Sequence, residues 1–339
     1  MLTATAVSQS ATDPLAGLEL RTVPTPEVPA GWSRVRIVAS SLNMHDVWTL
    51  RGVGHPAELL PRIIGCDAAG YDAEGNRVIV YPVIGSPDRG FGDETMDPQR
   101  SLLSEGYDGA FAEYVVVPTR NVVPLPDEIS FDEAACLPVA WGTAYRMLFT
   151  QAGLQAGQRV LVQGAGGGVA SAAIKLALAA GATVYATSRS ASKRALAESW
   201  GAHAVETGGR LPEKVDIVIE TVGEATWAHS LKCLRPGGTL VVAGATSGYN
   251  PPADLGRVFF QQQRIIGSTG CTLVEFQALL RMLVATGVRP TIDRTFDLDQ
   301  IHDAFRLMIA GDLAGKIVIH PPHDHDGTDH HTETNGATA

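Results

Sequence analysis

The stretch from Gly157 to Ala182, GQRVLVQGAGGGVASAAIKLALAAGA, decides the fold of this chain. It opens with an apolar, β-branched run, Arg159 to Gln163, which is typical of a buried strand. The run stops at a block of small residues, Gly164 to Gly168, and from Val169 onward apolar residues recur at helical spacing. The pattern predicts a strand, a tight turn and a helix whose first backbone N–H groups are free to bind a dinucleotide pyrophosphate.

A Gly-rich turn alone is weak evidence, because glycine also serves ordinary tight turns and close helix packing. The sequence that follows the turn strengthens the prediction. Strand-like runs alternate with helical ones, in the order TVYAT, KVDIVIETVG, GGTLVVAGA and RIIGSTG. Such alternation over about a hundred residues predicts a parallel, doubly wound α/β sheet.

Composition limits the kind of protein this can be. A chain of 339 residues with 45% hydrophobic content is long enough for two domains. The 36 acidic residues outnumber the 26 basic ones, which argues against nucleic-acid and anionic-membrane partners. No apolar run reaches the length of a membrane span and the N-terminus lacks the layout of a signal peptide, so we expect a soluble, cytoplasmic protein. The four cysteines include no closely spaced pair, which suggests neither a disulfide framework nor a structural zinc site.

The order of patterns along the chain predicts the domains. Residues 1–140 contain short alternating strands separated by Pro- and Gly-rich turns. The βα alternation ends before residues 286–321, which give a strand, an amphipathic helix and a closing strand. We therefore expect 1–140 and 286–321 to form one β-rich domain, with 141–285 inserted as the dinucleotide-binding domain. Residues 322–339 lack apolar periodicity and are expected to be disordered, and their histidines suggest loose metal binding more than a functional site.

Two connecting segments carry further expectations. Ser86 to Gly109 is polar and is expected to be an exposed loop, which either covers a substrate cleft or is simply solvated. Ile129 to Leu148 predicts a helix, a break at Pro138 and a second helix that leads into the dinucleotide domain.

Several ordered motifs together resemble one large enzyme family. They are SSLNMHDVWTLRG, PRIIGCDAAG, GAFAEYVVVP, LPVAWGTAYRML, QGAGGGVASAAIKLA, GGTLVVAGA and AGKIVI. From about Glu19 to His320 the chain resembles the medium-chain dehydrogenase/reductase superfamily, especially its quinone-oxidoreductase and zinc-alcohol-dehydrogenase-like branches. The resemblance implies a Rossmann domain with a doubly wound parallel sheet, inserted in a GroES-like β-rich catalytic domain. A nicotinamide would transfer hydride in the cleft between the two domains.

The metal ligands of the family are not matched. Zinc-dependent members hold the catalytic metal with a Cys, a His and a third Cys or Asp, and the resemblance places Asn43, Cys66 and Val139 at those positions. One soft ligand, with Asp67 nearby, does not make the open three-ligand site that catalytic zinc needs. Ser86 to Gly109 contains no cysteine to hold a structural zinc either. We therefore expect no metal.

Without a Lewis acid, the chemistry shifts toward acceptors that need only a hydride and hydrogen bonds. Quinones and C=C bonds conjugated to a carbonyl meet that demand. The sequence thus predicts a zinc-independent, NADPH-dependent oxidoreductase that acts on a small molecule. The alternatives are an alcohol dehydrogenase or aldehyde reductase of the same superfamily, and a catalytically weak NADP-binding sensor protein.

The predicted catalytic residues are Asn43, His45, Trp48 and Cys66. The amide of Asn43 is expected to bind a substrate carbonyl or the cofactor ribose, and His45 and Cys66 are candidate proton donors by residue type. Structural roles stay open for each of them, because Asn43 could cap the following helix and Cys66 could only pack.

The choice between NAD and NADP is made at the end of the second Rossmann strand. NAD enzymes place an acidic residue there, against the ribose 2′-hydroxyl. This chain has TSRSASK from Thr187 to Lys193, with no acid and two cations, which suits a 2′-phosphate. We therefore predict NADPH, bound by Ser188, Arg189 and Lys193, although a solvated Arg and Lys at a helix start is the simpler alternative.

The other predicted cofactor residues are Thr143, Gly166, Gly167, Gly168, Val169, Thr221, Gly244, Ala245 and Lys316. In the fingerprint Ala170 replaces the third glycine, which is tolerated because that position governs packing of the helix on the strand. The resemblance implies that Lys316 reaches the pyrophosphate. Thr221, Gly244 and Ala245 lie at later strand ends, on the rim where we expect the nicotinamide to rest.

The last predicted strand, Arg264 to Thr269, suggests an oligomer. It is apolar enough to be a liability if its edge is left open, so we expect a homodimer paired through this edge around a two-fold axis. The alternative is a monomer in which the helix after Thr272 covers the strand.

Overall fold

The computed structural model of the protein describes residues 1–322. Except for Pro322, the tail that is predicted to be disordered, residues 322–339 with their histidines, lies outside the described residues.

Short strands dominate the first part of the described chain. They are β1 (Leu2–Ala6), β2 (Leu18–Thr22), β3 (Trp32–Ser41), β4 (Arg62–Ile63), β5 (Asp67–Tyr71), β6 (Arg77–Val80), β7 (Val83–Ile84), β8 (Ser101–Leu102), β9 (Tyr114–Pro118) and β10 (Val122–Pro124). The later strands are β11 (Arg159–Val162), β12 (Thr183–Thr187), β13 (His203–Val205), β14 (Val215–Glu220), β15 (Leu234–Val242), β16 (Arg264–Gly267), β17 (Ile292–Asp297) and β18 (Lys316–His320).

The α-helices lie mostly in the second half. They are α1 (Met44–Leu50), α2 (Phe131–Ala135), α3 (Gly142–Tyr145), α4 (Gly168–Ala179), α5 (Ala191–Ser199), α6 (Glu224–Cys233), α7 (Leu255–Phe260), α8 (Leu273–Thr286) and α9 (Ile301–Ala310). No helix between residues 1 and 322 is both long and apolar enough to cross a membrane.

The inserted domain is built on one six-stranded sheet, in the order β13-β12-β11-β14-β15-β16, and every neighbouring pair is parallel. The order turns back at β11, so the Gly-rich turn that follows β11 lies at the switch point where doubly wound sheets bind their ligands. The predicted fold class, a Rossmann sheet inserted in a GroES-like domain, is confirmed.

The catalytic domain is β-rich and includes the end of the described chain. Its main sheet runs β10-β6-β5-β3-β18-β17, with β9 paired to β3 as well. Strand β18 pairs antiparallel with β3 through Val318 opposite Ser41 and Ile319 opposite Ser40. The C-terminal segment thus returns to the first domain and places Lys316 beside the segment that follows β3.

A helical junction joins the two domains, and it has the predicted order of helix, break and second helix: α2 ends at Ala135, and the break falls at Cys136, two residues before Pro138. Helical turns run from Leu137 through Gln151, with wider π-type turns on both sides of α3. Pro138 lies at the start of these turns, where a missing N–H costs no hydrogen bond. Trp141 of the junction is buried in one apolar cluster with Tyr81 of the catalytic domain and Phe276 of α8, so a continuous core connects the domains.

The segment from Ser86 to Gly109 differs from the prediction, because it is anchored and not freely exposed. Asp97 is fully buried and accepts hydrogen bonds from the Arg89 guanidinium and the Ser86 backbone N–H. These bonds, chiefly the one from Arg89, hold the pKa of Asp97 far below its ordinary range. The polar composition left open whether the segment covers the cleft or is solvated, and the structure favours the first alternative, because Thr95, Leu102 and Glu105 line the interdomain cavity.

Candidate active site

A cavity of about 490 Å³ lies between the two domains. The catalytic domain contributes His45, Tyr81 and Glu105 to its wall, the Rossmann domain contributes Ala243, Thr269 and Cys271, and the junction contributes Val139 and Thr143. Ligands of doubly wound folds bind beyond the carboxyl ends of the strands, and Ala243 directly follows β15 there. This cavity is therefore the candidate site for hydride transfer.

The Gly-rich turn has the geometry that the sequence predicted. Gly164 has a φ of +94°, which favours glycine. A Cβ atom on Gly167 would meet no atom within 4 Å, so the turn is open at that point. Helix α4 begins at Gly168 with no side-chain cap, which leaves the N–H groups of its first turn, including that of Val169, free for a phosphate. Ala170 is buried, as its packing role requires.

The predicted 2′-phosphate residues lie together at the end of β12. Ser188 is nearly buried and Arg189 is exposed. The Lys193 side chain passes over Gly166, and its ammonium donates to the Gly311 carbonyl of the catalytic domain at 2.7 Å. The sequence analysis missed Arg194, whose guanidinium donates to the Ser188 carbonyl at 2.7 Å and thereby orders the turn that follows β12.

Lys316 lies elsewhere than the resemblance implied. Its methylene stem runs past Gly168, but its buried ammonium donates to the Leu42 carbonyl at 2.7 Å, to Asn43 Oδ1 at 2.6 Å and to Asp67 Oδ2 at 3.2 Å. An ammonium has three N–H donors, and all of them are used inside the protein. The structure therefore assigns Lys316 to the network beneath the cleft and not to the pyrophosphate.

The same network corrects the expected role of Asn43. The amide Nδ2 of Asn43 donates to Asp67 Oδ2 at 2.7 Å, and its Oδ1 accepts from Lys316. The backbone N–H of Asn43 is bound by Asp46 Oδ2 at 2.8 Å, which helps to cap α1. Both ends of the amide are thus occupied, so Asn43 holds neighbouring groups in place instead of binding a substrate carbonyl.

The positions that the resemblance assigns to zinc ligands do not fit a catalytic zinc here. Val139 offers no ligand atom, the oxygen of Asn43 is bound to an ammonium, and only Cys66 supplies a soft donor. A different group, His45, Asp46 and Cys66, does bring three potential ligand atoms within 4.8 Å of one another. Within this group Cys66 Sγ lies 3.3 Å from His45 Nδ1 and 4.0 Å from Asp46 Oδ1, so the three side chains form one hydrogen-bonded network.

His45 is held between a sulfur and a carboxylate. Its Nδ1 lies 3.3 Å from Cys66 Sγ, and its Nε2 lies 2.9 Å from Glu105 Oε1. Cys66 is fully buried, and its thiol donates to the Leu103 carbonyl at 3.2 Å. The structure therefore brings the two predicted proton donors, His45 and Cys66, together. His45 and its partner Glu105 line the cavity, whereas Cys66 does not.

The surroundings shift the acidity of these groups. Burial lowers the pKa of His45, but Cys66, Glu105 and Asp46 outweigh it and raise that pKa well above 6.5. Burial raises the pKa of Asp46 to about 6 and raises that of the Cys66 thiol as well. Burial also raises the pKa of Glu105, but hydrogen bonds from His45 and the Leu102 N–H bring it below its ordinary value. These shifts favour the imidazolium form of His45 and the carboxylate form of Glu105.

The remaining predicted residues are placed as follows. Thr143 lines the cavity, whereas Trp48 lies outside its lining and stacks under the Arg51 guanidinium at 5.1 Å. Thr221 follows β14, and its carbonyl accepts a weak hydrogen bond from the Thr246 N–H, so Thr221, Gly244 and Ala245 lie next to one another at the carboxyl edge of the sheet. Sequence reasoning missed Glu105, because nothing in the local pattern of the polar loop pairs it with His45.

Comparisons with known proteins agree with this architecture. Residues 29–127 match the model of the alcohol dehydrogenase GroES-like domain, and residues 168–285 match that of the zinc-binding dehydrogenase family. A crotonyl-CoA reductase of Streptomyces avermitilis is 30% identical, over 86% of this chain and 79% of its own length. A 2-methylene-furan-3-one reductase of Solanum lycopersicum is 33% identical, over 88% of this chain and 74% of its own length.

Solved structures give the same result. An NAD-dependent alcohol dehydrogenase superposes with a TM-score of 0.87 at 30% identity, over 94% of this chain and 99% of its own. The 2-octenoyl-CoA carboxylase reductase CinF, in complex with NADP and 2-octenoyl-CoA, superposes with a TM-score of 0.85 at 25% identity, over 94% of this chain and 88% of its own. The protein belongs to the medium-chain dehydrogenase/reductase superfamily, as the sequence predicted, and is an oxidoreductase.

Proposed function

We propose that the protein reduces a C=C bond conjugated to a carbonyl group, with NADPH as hydride donor and without a metal ion. The observation that carries the proposal is the set of side chains that lie in and below the cleft. Asn43, one of the positions that the resemblance assigns to zinc ligands, is instead hydrogen-bonded to Lys316 and Asp67, and Lys316 is bound to Asp67 as well. The cavity itself presents the His45–Glu105 pair, which can supply a proton.

The chemistry of conjugate reduction matches these groups. Hydride adds to the β-carbon, the electron pair of the C=C bond moves toward the carbonyl, and the α-carbon then takes a proton. No strong Lewis acid is needed, because the conjugated carbonyl already accepts the charge. An alcohol dehydrogenase instead requires stabilisation of an alkoxide, usually by zinc, and Asn43, Cys66 and Val139, the positions that the resemblance assigns to zinc ligands, do not form a zinc ligand set.

The relatives support the same substrate class. Their names include crotonyl-CoA reductase, acryloyl-coenzyme A reductase and 2-methylene-furan-3-one reductase, and each of those compounds has a C=C bond conjugated to a carbonyl. The NADP complex of CinF supports the predicted cofactor. The NAD-dependent alcohol dehydrogenase among the structural neighbours represents the competing function.

Oxidation of NADPH with a panel of acceptors tests the proposal. The panel comprises crotonyl-CoA, methyl vinyl ketone, a quinone, and a simple aldehyde and its alcohol. We expect reduction of the conjugated compounds and little turnover of the aldehyde or the alcohol. Turnover of the simple aldehyde alone would instead support the alcohol dehydrogenase alternative, and no turnover of any compound would support the sensor alternative.

We also propose that the protein is a homodimer joined through the edge of the Rossmann sheet. Within residues 1–322, β16 pairs only with β15, so its outer edge is open. Ile265 on that strand is 41% exposed, and Phe259 and Phe260 of the preceding helix are 62% and 75% exposed. An open edge next to exposed aromatic rings is the kind of surface that a second copy covers.

A further inference from the structure

Both ring nitrogens of His45 are already engaged, so the imidazolium has no free N–H to offer a substrate. Nδ1 points to Cys66 Sγ at 3.3 Å and Nε2 to Glu105 Oε1 at 2.9 Å. Nδ1 faces a fully buried thiol, so a proton that leaves toward that side does not reach the cleft. The only outlet from His45 to the cavity passes through Glu105.

Glu105 is placed to carry that proton. Its carboxylate lines the cavity, and its side chain is 34% exposed, against 25% for His45. Oε1 accepts from His45, and Oε2 accepts from the Leu102 N–H at 3.0 Å. A carboxylate has about four lone-pair positions, so each oxygen can accept one further hydrogen bond. The hydrogen bonds from the Leu102 N–H and from His45 thus hold the Glu105 carboxylate in place. They leave it able to exchange a proton with a substrate.

The other titratable groups of the cavity wall are poorer donors. Tyr81 uses its hydroxyl proton on the Cys271 carbonyl at 2.7 Å or on Glu94 at 3.1 Å, and burial raises its pKa far above the ordinary range. Burial also raises the pKa of the Cys271 thiol well above its ordinary value. Arg100 is a guanidinium, which keeps its proton in proteins.

We propose that Glu105 is the catalytic residue that delivers the proton to the α-carbon of the substrate, and that His45 is a positioning residue that reloads Glu105. The inference rests on the proposed function. NADPH gives hydride to the β-carbon, and the C=C electron pair forms an enolate. The proton shared between His45 Nε2 and Glu105 moves onto the carboxylate and then onto the α-carbon, which regenerates the carbonyl.

The step balances without another reactant. One hydride from NADPH and one proton from the pair convert the C=C bond into two C–H bonds, and NADPH leaves as NADP⁺. His45 is left neutral with its proton on Nδ1, and Glu105 is again a carboxylate. A proton from water restores the imidazolium. Cys66 keeps its thiol proton throughout and holds the ring so that Nε2 stays directed at Glu105.

The test replaces Glu105 with Gln, which still accepts the Leu102 N–H but carries no acidic proton. We expect kcat for crotonyl-CoA to fall about a hundredfold or more, the range of general acid catalysis, with a larger solvent isotope effect. The Kd of NADPH, measured by its fluorescence, should be unchanged. Asp108→Asn is the matched control, because Asp108 belongs to the same loop but its carboxylate binds Arg62 and the Ile63 N–H outside the cavity. The control should keep wild-type kcat.

Two further measurements separate proton delivery from a structural role. Sodium acetate should restore part of the activity of Glu105→Ala, because the small acid replaces the missing carboxyl. Reduction of tiglyl-CoA in D₂O should place deuterium on one face of the α-carbon with the wild type and on both faces with Glu105→Gln. Active wild type with an equally active Glu105→Gln overturns the inference alone. Wild type inactive toward both crotonyl-CoA and methyl vinyl ketone overturns the proposed function and the inference together.

Discussion

The substitution Lys316→Met removes a buried charge and keeps the stem that passes Gly168. Three acceptors lose their donor, namely the Leu42 carbonyl, Asn43 Oδ1 and Asp67 Oδ2. Lys316 and Asp67 have side chains that are 3% and 0% exposed, so the carboxylate left behind is shielded from water. Breaking a buried ion pair by removing one partner typically costs about 3–5 kcal/mol.

The hydrogen bonds that Asp67 keeps decide how large the loss in the free energy of unfolding is within that range. Asp67 keeps hydrogen bonds from Ser41 Oγ at 2.8 Å, Asn43 Nδ2 at 2.7 Å and the Val139 N–H at 2.9 Å. Since these donors still stabilise the carboxylate, we expect the lower end, about 3 kcal/mol. For a chain of this size that corresponds to a drop of about 4 °C in the melting temperature.

Urea unfolding, followed by both tryptophan fluorescence and circular dichroism, measures the cost, and coincident transitions support a two-state reading. The double variant Lys316→Met with Asp67→Asn removes both charges. Its cost should be smaller than the sum of the single costs by about 1–3 kcal/mol, because the neutral amide is no longer a stranded charge. A loss under about 1 kcal/mol for Lys316→Met, or strict additivity in the double variant, would refute the assignment of Lys316 to this network.

Three other outcomes are expected. Elemental analysis after removal of the His-rich tail should find no stoichiometric zinc, and EDTA should leave activity unchanged; one zinc per chain that disappears in Cys66→Ser would contradict this. Arg189→Ala combined with Lys193→Ala should weaken NADPH binding by well over tenfold relative to NADH, since each hydrogen bond to a charged phosphate contributes about 1.5–3 kcal/mol; equal losses for both cofactors would disprove the 2′-phosphate site. Ile265→Lys should convert the dimer to a monomer in light scattering, with the mass falling to that of one 35.8 kDa chain, and an unchanged dimer would exclude this edge.

The activity should also depend on pH in a defined direction. His45 must be an imidazolium to reload Glu105, and Cys66, Asp46 and Glu105 face it and raise its pKa well above 6.5. Activity is therefore present at low pH and is lost as pH rises through that raised pKa. Glu105→Gln removes the carboxyl that His45 reloads, so the residual kcat of this variant should lose the falling limb. A limb that stays in place would show that another group controls it.

Much of this architecture could be predicted because it depends on residues that are close together in the sequence. The strand, the Gly-rich turn and the first turn of α4 lie within a few residues of one another, and their requirements for small residues and free N–H groups are local. The two cations near Thr187 could be read for the same reason, since β12 and α5 are consecutive. The departure from the zinc ligand set was likewise visible from residue types at fixed positions.

The polar loop from Ser86 to Gly109 shows where prediction from local sequence composition fails. Its composition predicts exposure, but Asp97 is buried because Arg89 and the Ser86 N–H satisfy its charge. A charged residue is buried only when partners compensate its loss of hydration, and those partners are chosen by the folded loop. Composition alone does not contain that information.

The pairing of distant side chains was decided only by the tertiary structure. Lys316 reaches Asn43 across 273 residues because β18 returns to pair with β3, and Glu105 reaches His45 across 60 residues because the anchored loop folds back over α1. No short-range pattern encodes either contact. By itself the sequence determined the fold, the superfamily and the cofactor, since those depend on local turn chemistry and on motif order. Only the folded chain determined which charges neutralise one another and which carboxylate faces the cleft, because hydrogen bonds depend on distances that are set by packing.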